Sequence, residues 1–505
     1  MNPPILIVNL FCKPGQSGIP ELTERLLEMG ITCSINPHEA AQMLEGCSEP
    51  SIYLSIGPRF EDFTGLCRMP LLQRQRWLHY ATPEEVSPYS LLYCWVAATD
   101  PLPESIPIGP FQYDQEPLVS VFTAAYRTGD RIQRPYQSLM AQTYKHWEWV
   151  IVDDSGDEGF TLQQTLQRLT DPRVRIIASP ERSGYIGSVK LRAAGSCKGQ
   201  ILVELDHDDE LTPDCLQKFV EGFRRHPECG FAFGEAAEIY EDTGESHWYG
   251  WDAGFGFILY WRQYDGDTRQ FLNVPRTASI NTKTVSHLLG LANHPRAWSR
   301  EAYQRLGRHR AFLSVADDYD LILRSLLCTR ALRIPDLMYR QYRIAHDINQ
   351  TFVRNAQIQL LCGVIGDHYR DRIMSRLSEL GLPSLDGYPY SRVWTNHPKS
   401  PPRHAGEVTD CLNDARASYL HLIPYQNDAW DLQQLERSVE SCGRHNWMNC
   451  EVIVVGHCPT AYLEDIARDA PPGAVRWWTT PAEWPTKHHL NYGTLLCTGR
   501  VCCAR

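Results

Sequence analysis

Ile201-Leu-Val-Glu-Leu-Asp-His-Asp-Asp-Glu-Leu-Thr-Pro213 sets an apolar segment directly against an acidic one. The apolar run, Ile201 to Leu205, reads as a buried strand. It breaks into Asp206, Asp208 and Asp209, and Pro213 suits the first turn of a following helix. Carboxylates at the carboxyl end of a strand lie where open α/β sheets bind their ligands. Hard oxygen ligands suit Mg²⁺ or Mn²⁺, and such a metal is usually shared with substrate phosphates. A solvated acidic turn would contain the same residues, so the surrounding sequence has to decide.

Upstream, the pattern alternates. Leu118-Val-Ser-Val-Phe-Thr123 reads as a strand, Arg134 to Gln142 as a helix, and Trp147-Glu-Trp-Val-Ile-Val152 as a strand running into Asp153-Asp154-Ser155. Phe160 to Leu169 reads as a helix, Val174-Arg-Ile-Ile177 as a strand, and Ser188 to Cys197 as a helix closed by Gly199. Alternating strands and helices predict a parallel sheet. Two of its strands end in paired aspartates.

Four segments in order resemble family 2 glycosyltransferases of the GT-A fold. They are Val119-Ser-Val-Phe-Thr-Ala-Ala-Tyr126; Gln142-Thr-Tyr with Trp147-Glu-Trp-Val-Ile-Val-Asp-Asp-Ser155; Leu205-Asp-His-Asp-Asp209 with Pro213-Asp214; and Ala316-Asp-Asp-Tyr-Asp-Leu321 with Arg324. The resemblance spans Leu118 to about Asn355. It implies that Thr123, Ala124 and Tyr126 contact a nucleotide and that Asp153 or Asp154 accepts a hydrogen bond from its base or ribose. Asp208 aligns with the metal ligand of the family's D-x-D motif, and Asp206 would hold the ribose or support the metal. Lys190, and with it Arg182 and Arg192, would lie near the phosphates. His346 stands where related enzymes place a metal- or phosphate-contacting histidine. Asp318 aligns with the base that deprotonates the acceptor hydroxyl, and Asp317 replaces a commoner glutamate. Asp317 and Asp320 equally suit the first turn of a helix, where the dipole favours carboxylates. Arg127 and Ala124 depart from the family's usual residues. Trp251, His294 and Trp298 are acceptor-side candidates, although such aromatic residues are as readily core.

The flanks read differently. Residues 1–110 form a small Rossmann-like α/β domain, with strands at Ile5 to Leu10, Ser51 to Ile56 and Leu91 to Val96 and a helix between Gly18 and Gly30. A proline-rich linker, 111–117, closes the run from Asp100. The catalytic domain is 118–382, a helix from Ile358 to Leu380 ends it, and 383–410 is a connector. Residues 411–505 repeat the opening of the central domain as a truncated GT-A-like unit. Ser418 to Tyr425 parallels Val119 to Tyr126, and Gly456 replaces the aspartate pair, so this unit is expected to be catalytically silent, serving structure or dimerisation.

The composition is that of an ordinary globular chain: 505 residues, 43% hydrophobic and 22% charged, enough for two to four domains. A net charge of −11 argues against a nucleic-acid surface. No apolar run approaches the roughly 20 residues that span a bilayer. The 17 cysteines are scattered without metal-site spacing, which predicts buried thiols in a reducing cytoplasm. The fold expected is thus α/β, with a central GT-A domain between two smaller α/β units. The activity implied is metal-assisted inverting transfer from a nucleotide-sugar, by family default a UDP-sugar, to a saccharide, lipid-linked or protein-linked glycan acceptor, in a monomer or homo-oligomer. Two alternatives stand beside it: a non-catalytic nucleotide- or carbohydrate-binding protein, and a nucleotidyltransferase. The latter would lead with a glycine-rich phosphate loop, which Thr123 to Gly129 is not.

Overall fold

The structure is a computed structural model and describes residues 3–37, 51–69, 74–102, 108–156, 171–248, 260–275, 292–343, 353–379, 412–413, 417–423, 429–444, 447, 450–480, 484–497 and 501–504. The helix read at 160–169 lies outside these residues. Among them, no helix is long and apolar enough to cross a membrane.

The N-terminal unit is a parallel sheet of β1 (Leu6–Cys12), β2 (Ile31–Pro37), β3 (Ile52–Ile56) and β4 (Trp77–Tyr80), in the order β2-β1-β3-β4. One expected strand is a helix instead: Leu91 to Val96 lies within the helix Pro88–Ala98. Ser87 caps it by accepting from the Ser90 N–H, and Pro88 fits its first turn. Leu91, Leu92, Trp95 and Val96 are buried along one face, and a short apolar run does not by itself distinguish strand from helix. This helix packs on the long helix Asn355–Glu379, and one apolar core runs from Ile5 through Trp95 and Phe122 to Tyr369. The proline-rich segment is tied down at both ends. Asp100 accepts from Tyr369 and His368, each at 3.0 Å, and the Phe111 N–H donates to the Pro227 carbonyl at 2.7 Å.

The central sheet contains β5 (Val119–Ala125), β6 (Trp147–Asp153), β7 (Val174–Ala178), β8 (Ile201–Glu204), β9 (Glu210–Leu211), β10 (Cys229–Tyr240), β13 (Arg296–Ser299), β14 (Arg330–Arg343) and β15 (Leu412–Asn413). Their order is β15-β14-β10-β13-β8-β5-β6-β7, with β9 antiparallel to β14. Strands β8, β5, β6 and β7 are mutually parallel, whereas β13 runs antiparallel between β8 and β10. The helices Ile186–Gly195 and Asp317–Cys328 and the core from Phe122 to Tyr369 cover one face; Cys215–Arg225 and Gln133–Met140 cover the other.

The third sheet joins two parts of the chain. The antiparallel hairpin β11 (Tyr260–Asp265) and β12 (Gln270–Pro275) comes from the central region. It pairs with β18 (Val475–Trp478), giving the order β12-β11-β18-β17-β16-β19 with β16 (Ala417–Ile423), β17 (Cys450–Gly456) and β19 (Val501–Ala504). The parallel block β19-β16-β17-β18 repeats the order β8-β5-β6-β7 and also its register. Ser120, Glu148 and Arg175 lie at the same cross-strand positions as Ser418, Glu451 and Arg476. In both blocks the serine hydroxyl donates to the glutamate at 2.6 Å, and the arginine pairs with that glutamate, at 3.7 Å in the first and 3.4 Å in the second. Ser418 therefore corresponds to Ser120, one residue offset from the pairing expected with Val119. Gly456 takes the place of Asp153. A side chain there would put its Cβ 2.0 Å from the Ile423 carbonyl at a φ of +126°.

The second arginine is fully buried. Arg476 pairs with Asp336 of β14 at 2.9 Å and lies over the Trp261 ring at 4.5 Å, so it fastens the third sheet to the central one. Asp336→Ala should lower the midpoint of thermal unfolding by several degrees, because breaking a buried pair costs about 3–5 kcal/mol. A shift under about 1 °C would show that the pair does not hold the sheets together.

Candidate active site

The site is assembled where β8 ends. Glu204, its last residue, is 1% exposed and lies directly across from Arg296 on β13. Arg296 NH1 approaches Glu204 Oε2 at 3.3 Å, and Lys190 Nζ approaches Glu204 Oε1 at 2.6 Å. Lys190 reaches in from the helix Ile186–Gly195, which lies close because it has a glycine at its second position. A Cβ on Gly187 would sit 2.0 Å from the Arg310 carbonyl. Lys190 Nζ also lies 3.0 Å from Asp317 Oδ2, and Arg296 NH2 lies 3.1 Å from Asp318 Oδ2. Both aspartates occupy the first turn of the helix Asp317–Cys328, where the dipole favours negative charge.

The electrostatics follow from these contacts. Burial favours neutral Lys190, but Asp317 and Glu204 outweigh it and raise its pKa well above the usual lysine value. Glu204 is held well below the carboxylate range, Lys190 and Arg296 together overcoming its burial. Burial, with Asp318 and Glu204 nearby, pushes Asp317 up to about 6 despite Lys190. Asp318 goes the other way: Arg296, then Lys190, overcome burial and lower its pKa. Its side chain is 34% exposed, against 6% for that of Asp317. Asp318 is thus an ionised carboxylate that a solvent-borne group can reach.

The acidic cluster divides by role. Asp209 is enclosed, accepting from the Tyr339 hydroxyl at 2.9 Å and the Tyr342 N–H at 2.8 Å, and burial raises its pKa well above the usual value. Asp206 and Asp208 keep partly exposed side chains, 36% and 28%. Arg134 donates to the Asp208 carbonyl while stacking on the Tyr342 ring at 3.7 Å. His294 stacks on Tyr339, with ring centroids 4.9 Å apart, and its buried Nε2 has no hydrogen-bond partner among the described residues and lies 3.7 Å from Asp206 Oδ2. Burial, then Arg296, lowers its pKa, which leaves a neutral imidazole.

Donor atoms of Glu204, Asp206 and His294 all lie within 4.8 Å of one another. Carboxylate oxygen with neutral imidazole suits Mn²⁺. Glu204 is the weakest member, since each of its oxygens already faces a cation. Asp206 and His294 are therefore the described residues that fit a divalent ion best. His346 and Trp251 lie outside the described residues.

Among the residues expected to contact a nucleotide, Asp153 ends β6 and Asp154 follows it, and both are nearly enclosed. Asp153 accepts from the Ser155 N–H at 3.1 Å and the Ser155 hydroxyl at 2.5 Å. Asp154 accepts from the N–H groups of Ser183 and Gly184 at 2.9 and 2.8 Å, which binds the loop before the Lys190 helix to β6. Thr123 is buried, donating to the Leu205 carbonyl at 2.7 Å and accepting from Trp149 at 2.8 Å. Ala124 and Tyr126 are partly exposed at the mouth of β5, where the Arg182 guanidinium covers the Tyr126 ring at 4.3 Å. Trp298 is enclosed in the core, its ring tilted against Phe231 with centroids 5.2 Å apart and its indole N–H donating to Ser325 at 3.0 Å. Lys190, Asp206, His294, Asp317 and Asp318 are thus brought together; Trp298 is not.

The sequence reading passed over Glu204, Arg296 and Tyr339. For Glu204 a signal was present: a charge closing an otherwise apolar strand. For Arg296 and Tyr339 only the folded pairing reveals the role.

Residues 120–286 match the model of Glycosyl transferase family 2. TuaG of Bacillus subtilis (strain 168), assigned to teichuronic acid biosynthesis as a glycosyltransferase, is 33% identical over 119 residues, 23% of this chain and 46% of that protein. WcaA of Escherichia coli (strain K12), assigned to colanic acid biosynthesis as a glycosyl transferase, is 33% identical over 104 residues, 21% of this chain and 37% of that protein. The chain thus spans less than half the length of these relatives. The crystal structure of S. aureus TarS 1–349 in complex with UDP-GlcNAc is similar with a TM-score of 0.37 and 15% identity, over 52% of this chain and 72% of that one. The matched residues, 120–286, thus form a glycosyl transferase family 2 domain within this chain.

Proposed function

We propose that the protein is a glycosyltransferase that moves a sugar from a nucleotide-sugar, a UDP-sugar, to an acceptor hydroxyl with inversion, and that Asp318 is the base. The observation that carries this reading is the state of Asp318: ionised, one-third exposed, and held by Arg296, which also faces Glu204 at the carboxyl end of β8. A binding protein has no need of such a group. In the proposed step the acceptor oxygen attacks the anomeric carbon, its proton passes to Asp318, and the bond to the diphosphate breaks with its electron pair leaving on the nucleotide. Asp206 and His294 would hold the Mn²⁺ or Mg²⁺, which when bound supplies positive charge to the departing diphosphate. Asp153 and Asp154 shape the nucleotide end, the latter through the Ser183–Gly184 loop. Asp317, buried against Lys190, acts on the site through Lys190.

The acceptor proposed is a saccharide chain, in keeping with the polysaccharide pathways named for TuaG and WcaA, and the cytoplasm is the proposed location. Residues 411–505 are read as a catalytically silent half-unit, because Gly456 stands where Asp153 does.

Asp318→Asn should reduce kcat by about 10²-fold or more while leaving UDP-sugar affinity within about twofold, because general-base catalysis typically contributes that much. Turnover of the variant within a factor of three of the parent would remove Asp318 as the base. Mn²⁺ affinity, read by electron paramagnetic resonance without nucleotide, should fall about tenfold or more in Asp206→Asn and in His294→Ala. It should fall less in Asp208→Asn, and the reverse order would return the ligand role to Asp208.

A further inference from the structure

We infer that Arg296 is a positioning residue that fixes the Asp318 carboxylate from the neighbouring strand. This rests on Asp318 being the base. Each guanidinium nitrogen of Arg296 has a different partner. Nε donates to the Ala292 carbonyl at 2.7 Å, NH1 faces Glu204 at 3.3 Å and NH2 faces Asp318 at 3.1 Å. A planar fork held at three corners cannot rotate, so the oxygen it contacts is fixed as well. The Asp318 Oδ1 atom is held separately, by the Tyr319 N–H at 2.8 Å.

The arrangement closes on itself. Asp318 meets Arg296, Arg296 meets Glu204, Glu204 meets Lys190, and Lys190 meets Asp317, the residue next to Asp318 in the chain. Charges alternate in sign from Asp318 to Asp317, and the two aspartates at the ends are joined by one peptide bond. The base is therefore aimed by β8 and β13 as well as by its own helix.

Other charged or titratable groups face Asp318 from several elements: Lys190 from the helix Ile186–Gly195, Glu204 from β8, Asp317 from its own turn, His309 from the preceding loop, and Cys362 from the helix Asn355–Glu379. Of the cations among them, Arg296 acts most strongly on Asp318. Burial alone would favour the protonated acid, so without Arg296 the carboxyl group should take up a proton at a higher pH.

The test uses the full-length protein and potentiometric difference titration, each variant in an Asp317→Asn background against the same variant also carrying Asp318→Asn, because Asp318 raises the pKa of Asp317 and its loss alone would shift that titration. Between about pH 4.5 and 7, above the usual aspartate range, the parent should show no proton uptake at Asp318. Arg296→Gln should show uptake there, and Arg296→Lys, which keeps the charge but not the fork, should show less. In parallel, UDP release from UDP-glucose and UDP-N-acetylglucosamine, with Mn²⁺ and water as acceptor, should fall at least tenfold in kcat in both variants, with KM within twofold. A merely structural arginine would move neither the titration nor the kcat-to-KM split. Uptake absent from both variants overturns the inference. Undiminished UDP release in Asp318→Asn overturns the base reading instead, while the titration still judges the Arg296 contact. If Arg296→Gln does not fold, Arg296→Lys decides: no uptake together with parental kcat overturns the inference.

Discussion

Lys190, Glu204, Arg296 and Asp317 are between 1% and 8% exposed, and each carries a charge. Taking one such ion out of water costs several kcal/mol unless an opposite charge meets it in good geometry. Each therefore constrains the element that carries it. The helix Ile186–Gly195 must come near enough for Lys190 to span two carboxylates, which the bare backbone of Gly187 allows. Strand β13 must lie antiparallel beside β8 so that Arg296 faces Glu204, and the helix Asp317–Cys328 must begin where both cations end. The fold around the site is thus specified by charge matching as much as by the apolar core beneath it.

The apolar strands of the central sheet were legible because their runs are long and bounded: β5, β6, β7 and β8 lie where periodicity put them. The same signal misled at Leu91 to Val96, where Ser87 and Pro88 start a helix. Side-chain roles were harder to read. Lys190 was expected to face phosphates, and its ammonium instead lies between Glu204 and Asp317. Asp209 belonged to the same acidic motif as Asp206, yet Tyr339 and Tyr342 enclose it. Arg296 and Glu204 are 92 residues apart in sequence and in contact only through strand pairing. A single sequence holds no trace of such a pairing. His294 was assigned to the acceptor side, and what sets it toward Asp206 is the Tyr339 ring, which no local pattern announces.

The repeated block shows how one pattern serves two environments. Ser120, Glu148 and Arg175 and their counterparts Ser418, Glu451 and Arg476 occupy the same positions of the same four-strand order. In the first block the arginine is 43% exposed, and its contribution is screened by solvent. In the second block β14 and β11 cover the arginine, and the same residue becomes a buried clamp. The residue type is conserved between the blocks while the energetics are not.

The origin of β11 also bears on how the chain assembles in time. That strand belongs to the middle of the chain, and its partner β18 follows roughly 200 residues later, which at about 5–20 residues per second leaves its outer edge unpaired for about 10–40 s of synthesis. An open edge of this kind is a template for pairing with another chain. Asp265 and Asp267, at the end of that hairpin, are both held by Arg340 of β14. This contact needs only sequence made before β18, so the hairpin can dock on the central sheet while its remaining partner is still being synthesised.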